Sequence, residues 1–171
     1  MIIRQETPKD YKEVYNLVKN AFATTDFSDG SEADYLNNIR IKDSFIPELS
    51  LVAENNNKII GQIVLYNMQI NYGQKVETQL VLSPISVHPD YFKQGIGSAL
   101  IEEGCKRAIK MGYKAVFLCG DPDYYSRFGF IPTYKYDVYH INDKEKNAEW
   151  CMVKELSEGY LNTISGSIDI E

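Results

Sequence analysis

Hydrophobic positions along this chain recur with two different periods, and the changes of period mark its elements. Met1 to Gln5 is a short apolar run around Ile2 and Ile3 and predicts a strand. Thr7-Pro8-Lys9-Asp10 reads as a helix start. Thr7 can cap it, Pro8 suits the first helical position, and Asp10 sits in the positive first turn. Tyr11, Val14, Tyr15, Val18 and Phe22 follow at spacings of three and four, so this helix buries one face. Asp26 to Gly30 is polar and predicts a loop, after which Ser31 with Asp34 opens a second helix carrying Tyr35, Leu36 and Ile39.

The pattern then changes to runs of apolar residues between turn residues. Leu49 to Glu54 predicts a strand, Asn55-Asn56-Asn57 a turn, and Lys58 to Tyr66 a second strand, which Met68 to Tyr72 extends. Gly73-Gln74 turns the chain again into a longer strand from Glu77 to Val87. Pro84 lies inside it and cannot donate to a ladder, which marks an edge, a bend or a bulge that frees backbone groups. A loop after His88-Pro89 leads to Gly95-Ile96-Gly97-Ser98 and a helix reaching about Met111, capped by Gly112. Its inner stripe reads Gly97, Leu100, Ile101, Gly104, Cys105, Ala108 and Ile109. Ala115 to Leu118 predicts a strand, which makes a parallel, right-handed strand-helix-strand crossover. A short helix around Tyr124 to Phe128 follows, then strands over Tyr134–Tyr139 and Glu149–Glu155. The fold class is therefore mixed α/β (α+β). It has a mostly antiparallel sheet flanked by helices, a bulged central strand and one parallel crossover. No repeat or linker divides it, so residues 1–171 are expected to form a single domain.

Composition narrows the partners. The net charge of -6 argues against nucleic acid, whose affinity comes from Lys and Arg neutralising phosphates, and favours cationic substrates. The three cysteines, Cys105, Cys119 and Cys151, have spacings that suggest neither a disulfide framework nor a metal site. No apolar run approaches the ~20 residues of a membrane span, and the first residues show no secretory pattern. The expected setting is cytoplasmic, with no membrane partner.

The segment Lys93-Gln94-Gly95-Ile96-Gly97-Ser98 is the strongest chemical signal. Amides at a helix N-terminus lack partners and carry partial positive charge, and glycines remove side chains that would hold a phosphate away. On a blander reading, Gly97 only allows close helix–sheet packing. The Walker pattern is absent. A dinucleotide fingerprint would need glycine where Leu100 stands, although Asp121 falls where a ribose-binding acid would.

Two segments carry a family resemblance. VHPDYFKQGIGSA, Val87 to Ala99, resembles motif A of the GNAT superfamily of N-acetyltransferases, and DPDYYSRFGF, Asp121 to Phe130, resembles its motif B. The likeness is to the bacterial subgroup with a GDPDYYSRFGF-type segment. It implies an acetyl-CoA-dependent N-acetyltransferase acting by direct attack of a primary amine of a small molecule, peptide or protein. By resemblance, the backbone of Ile85, Ser86 and Val87 holds the pantetheine arm. The amides of Lys93, Gln94, Gly95, Ile96, Gly97 and Ser98 hold the pyrophosphate, the Val87 amide faces the thioester oxygen, and Tyr125 is the general acid. The phenol is expected where the strands Ser83–Val87 and Ala115–Leu118 diverge. Two positions depart from the family pattern: Phe92 stands where Gln or Arg is usual, and Leu118 where many members have Asn. A non-catalytic acyl-CoA-binding module and a nicotinamide-dependent oxidoreductase stay open as alternatives. The resemblance also implies that a homodimer is one state to test, since the family often dimerises.

Other residues have two readings each. Tyr125 is otherwise a packing aromatic, with Tyr124 its nearest rival. Glu77, Glu32 and Asp29 are candidate general bases or solvated acids, and the acidic stretch Asp26 to Asp34 is an approach for the amine. Arg127 could meet phosphate or form a surface ion pair. His88, His140 and Cys119 read as structural.

Overall fold

The computed structural model describes residues 1–23 and 28–170. Asp26, and with it the start of the expected polar loop, lies outside the described residues. The element order is β1 (Ile2–Gln5), α1 (Tyr11–Phe22), α2 (Glu32–Arg40), β2 (Ser50–Asn55), β3 (Lys58–Tyr72), β4 (Lys75–Val87) and α3 (Ile96–Lys110). Then come β5 (Ala115–Cys119), α4 (Pro122–Tyr125), β6 (Ile131–Pro132), β7 (Val138–His140), β8 (Cys151–Glu155) and β9 (Gly166–Ile168). The fold is mixed α/β, with a largely antiparallel sheet flanked by helices. The chain forms two compact units, Met1–Tyr66 with Ser83–Arg107, and Asn67–Leu82 with Ala108–Glu171.

In the first unit β2 pairs antiparallel with both β1 and β3, with Ala53 opposite Ile3 and Leu51 opposite Ile63. Asn56 and Asn57 turn the β2–β3 hairpin with φ of 50° and 61°. Asparagine tolerates this left-handed conformation, and its twist matches that of the strands. The ladder's register shifts between Ala53 and Glu54. The helix α3 lies close on β3 because two glycines permit it. A Cβ on Gly61 would sit 2.9 Å from the Ile96 side chain, and one on Gly104 2.9 Å from that of Leu65.

The first helix starts one turn later than Thr7-Pro8 suggests. The Asp10 carboxylate accepts from the Thr7 amide and hydroxyl, both at 2.8 Å, and from Arg4 Nη1 at 2.8 Å. Thr7 to Asp10 is thus a closed turn, and α1 buries Val14, Leu17, Val18 and Ala21.

In the second unit β4 and β5 are parallel neighbours, as the crossover requires, through Leu80–Val116 and Val81–Phe117. The second partner of β5 is β8, which is antiparallel and continues to β6. Helix α3 ends on Gly112 at φ +88°, where the Gly112 and Tyr113 amides donate to Ile109 and Ala108 at 3.0 and 3.1 Å. These paired bonds satisfy the last carbonyls. They also end the inner stripe at Ala108: Ile109, predicted on it, is 53% exposed.

The C-terminal strands differ from expectation. Thr133 to Tyr136 is a tight helical turn, and Asp137 at φ 56° closes it, so only Val138–His140 remains extended. Turn closure by local bonds, with Asp137 donating to Tyr134 at 3.2 Å, outweighs the aromatic bias toward a strand. The partner of β7 is the unpredicted β9, which also pairs with the end of β3 at Ile70–Ile168. Gly166 makes that insertion possible. It has φ +128°, and a Cβ there would lie 2.2 Å from the Asn71 carbonyl oxygen. Gly166→Ala should therefore cost on the order of 2–4 kcal/mol in denaturant unfolding, since both strain and a backbone clash oppose it.

Candidate active site

The end of β4 offers a ligand its backbone. Strand alternation turns Ser86 inward, where it is buried, and leaves Ile85 and Val87 half-buried. The buried Gln62 of β3 donates to Ser86 Oγ at 3.0 Å and to the Pro84 carbonyl at 3.3 Å. The Ser86 hydroxyl thus serves the strand pair. The Ser83–Pro84 bond is cis. Beyond Val87, the His88 amide donates to Ile60 at 2.9 Å, which fixes where the strand ends.

From there the chain makes a single tight turn, Pro89–Tyr91, and enters the glycine segment. Lys93 and Gly95 are left-handed, at φ 61° and 80°. The Gly95 carbonyl accepts from the Ala99 amide at 3.0 Å, the first bond of α3. The amides of Gly95, Ile96, Gly97 and Ser98 therefore precede any intrahelical acceptor, at the positive end of the helix. Lys93, Gln94 and Gly95 are exposed, whereas Ile96 and Gly97 are buried. Gln94 Nε2 reaches back to the Asp90 carbonyl at 3.3 Å. Phe92 is 45% exposed and contributes no polar group.

The second unit holds the tyrosine segment. Asp121 caps α4, its Oδ1 accepting from the Asp123 amide at 2.9 Å, and Pro122 takes the first helical position. This cap uses the carboxylate that a dinucleotide reading would give to a ribose. The Tyr125 ring packs directly on Gly120, where a Cβ would lie 2.4 Å from ring carbon Cε2. Tyr124 and Phe130 flank the ring at centroid distances of 4.9 and 5.8 Å. Burial pushes the Tyr125 phenol above its ordinary pKa, and Tyr124 and Asp121 push it further the same way. Its hydroxyl makes no hydrogen bond among the described residues. It is thus protonated at neutral pH and free to donate. Tyr124 faces a different set of neighbours: Phe128 at 5.4 Å and the Arg127 guanidinium at 4.2 Å. Arg127 is thus a stacked cation.

The remaining candidates have structural partners. Glu77 accepts from Tyr160 at 2.6 Å, Gln79 at 3.3 Å and Tyr72 at 3.4 Å. Asp29 Oδ1 accepts from the Ser31 amide at 2.9 Å and hydroxyl at 2.6 Å, which holds its carboxyl below the usual range. Glu32 is half-buried in the first turn of α2. His88 Nδ1 accepts from the Asp90 amide at 3.3 Å. Buried His140 bridges the Asn142 amide and the Ile170 carbonyl, at 3.1 and 3.0 Å. Leu118 is buried in β5. Sequence reasoning missed Gln62 and Gly120. Gly120 had a signal, a glycine just before a capping Asp and two aromatics; Gln62 had none, being one polar residue inside an apolar run.

The family model described as Acetyltransferase (GNAT) domain matches residues 2–133. The chain is 29% identical to the uncharacterized N-acetyltransferase YhbS of Escherichia coli strain K12, over 99% of this chain and 95% of that protein. It is 32% identical to the uncharacterized N-acetyltransferase YjhQ of the same strain, a match spanning 64% of this chain and 60% of YjhQ. The crystal structure of E. coli YhbS in complex with CoA superposes with a TM-score of 0.87 at 24% identity, over 99% of this chain and 89% of that one. A GNAT family acetyltransferase from Brucella melitensis, in complex with acetyl-CoA, gives 0.79 at 26% identity, over 99% and 95%.

Proposed function

Since the chain belongs to the GNAT acetyltransferase family, we propose that it binds acetyl-CoA and transfers the acetyl group to a primary amine by direct attack. The observation that carries this reading is the N-terminus of α3, where the amides of Gly95, Ile96, Gly97 and Ser98 have no acceptor among the described residues and Lys93 and Gly95 are left-handed. Such an end binds a pyrophosphate through backbone alone. The CoA and acetyl-CoA complexes of YhbS and the Brucella protein support the same ligand here.

In this reading residues 1–171 act as one catalytic domain in the cytoplasm. The backbone of Ile85, Ser86 and Val87 holds the pantetheine arm, and Lys93 to Ser98 hold the pyrophosphate. As the neutral amine attacks, negative charge builds on the thioester oxygen, and a preorganised amide at Val87 stabilises it. Tyr125 then protonates the departing thiolate. The acceptor is a small-molecule or peptide amine, and the net charge of -6 favours its cationic form in the encounter.

Phe92 and Leu118 favour a second reading, a binder of acyl-CoA without turnover. A thermal-shift series with acetyl-CoA, CoA and NAD, followed by thiol release with a panel of amines, separates the two. Stabilisation of about 2.7 kcal/mol is expected from acetyl-CoA at 100 times its dissociation constant. NAD should give none, and at least one amine should release free thiol. Binding without thiol release from any amine would favour the binder, and stabilisation by NAD alone would overturn both readings.

A further inference from the structure

We infer that Cys119 and Cys151 form a redox modification site, a dithiol that a low-molecular-weight disulfide converts reversibly to a cross-strand disulfide. This stands independently of the acetyl-transfer reading.

Cys119 is the last residue of β5 and Cys151 the first of β8, and the antiparallel register sets them directly opposite one another. Opposed residues project from the same face of a sheet. The kind of pairing follows from the next rung, where the Gly120 amide donates to the Trp150 carbonyl at 2.8 Å. Hydrogen-bonded and non-hydrogen-bonded pairs alternate along an antiparallel ladder. Gly120–Trp150 is hydrogen-bonded, so Cys119–Cys151 is the non-hydrogen-bonded pair. There the Cα atoms stand about 4.5 Å apart, within the roughly 4.4–6.8 Å span of disulfides.

The two sulfurs already interact. The Cys119 thiol donates to Cys151, which raises the Cys119 pKa and lowers that of Cys151. The Thr133 hydroxyl also favours the Cys151 thiolate. Exposure divides the roles: Cys119 is exposed and Cys151 is buried, and both are free thiols. An external disulfide can therefore be met only at Cys119. The Cys119 sulfur attacks one sulfur of RSSR as its proton passes by way of the neighbouring Cys151 to the departing RS⁻, so that a mixed disulfide forms and one RSH leaves. The Cys151 thiolate then attacks the Cys119 sulfur, forming the intramolecular disulfide and expelling the second RS⁻. The two thiol protons leave on two RSH, the chain gives up two electrons, and RSSR accepts them. Excess small thiol reverses both steps. The bond forms one residue before Gly120, the glycine on which the Tyr125 ring packs.

The test is incubation of the reduced full-length protein with oxidised glutathione, then alkylation under denaturing conditions and peptide mass mapping. The alkylatable thiols should fall from three to one. The one remaining should be Cys105, and the Cys119 and Cys151 peptides should be joined within one chain. Dithiothreitol should restore all three. Cys151→Ser, which removes the resolving thiol, should hold a lasting glutathione adduct on Cys119. A wild-type protein that keeps a stable adduct at Cys119 with Cys151 free would overturn the inference. So would retention of all three thiols, or a link between chains.

Discussion

Gly97→Glu is expected to remove all stabilisation by acetyl-CoA from a protein that still folds. Gly97 lies in the first turn of α3, where the amides preceding Ala99 lack helical acceptors. In the proposed site a pyrophosphate is held by amide donors and by the positive end of the helix, with the exposed Lys93 the one charged side chain of the segment. Phe92 brings no polar group, and the Gln94 side chain is engaged with the Asp90 carbonyl. A carboxylate at position 97 occupies the same volume with the same sign of charge, so it competes as a built-in anion. The helix itself should not suffer on that account, because acids are favoured in a first turn and glutamate has the better helix propensity. Wild-type protein should gain about 2.7 kcal/mol at 100 times the dissociation constant, and the variant nothing. Gly97→Ala adds volume without charge and should keep part of the gain. A cooperative melt without ligand establishes that each variant is folded. Undiminished stabilisation of folded Gly97→Glu would move the pyrophosphate away from this helix end.

Local signals were legible in the sequence where one short segment fixes its own conformation. The Asn55–Asn57 turn, the Gly112 helix end and the parallel β4–β5 neighbours follow from residues within a few positions of each other or from a chirality rule. The C-terminal region was misread because its strands are specified by distant partners. Ser167 and Ile168 of β9 pair with Asn71 and Ile70 of β3, nearly a hundred positions earlier, and nothing within Gly166–Ile168 reveals this except the glycine. The same division runs through the candidate site. Gly95, Gly97 and Tyr125 stand in contiguous segments whose pattern carries the family resemblance. Gln62, which straps Pro84 and Ser86 from the neighbouring strand, and Cys151, opposite Cys119, become visible only once the ladders are built. Glu77 shows the converse. Its position suggested a base, but three donors converge on its carboxylate and give it a structural task.

Tyr125→Phe is expected to lower kcat by ~10²–10⁴ and to leave acetyl-CoA binding unchanged. Loss of the hydroxyl preserves what the ring does. The contacts with Gly120, Tyr124 and Phe130 involve ring carbons, and the hydroxyl has no partner to lose among the described residues, so the variant should fold. The proton matters only as the thiolate leaves, which assigns the loss to kcat and not to coenzyme affinity. An unperturbed phenol near 10 gives its proton to a thiolate near 8.5 at a cost of roughly 2 kcal/mol. Burial pushes the Tyr125 phenol higher still, but the same desolvation raises a thiol buried beside it, so the two shifts partly cancel. The direction of the phenol's shift also sets the pH profile. A phenol at its ordinary pKa would give kcat a basic limb near pH 10, whereas a raised one carries the limb above that, so kcat should show no loss from this group up to about pH 10. Tyr124→Phe is the internal control. Its ring packs on Phe128 and carries Arg127, and loss of its hydroxyl should cost little. Both variants are compared by thiol release with any accepted amine. Near-wild-type rates in both would assign the proton to water or to another residue, and a larger loss at Tyr124 would transfer the role to that neighbour.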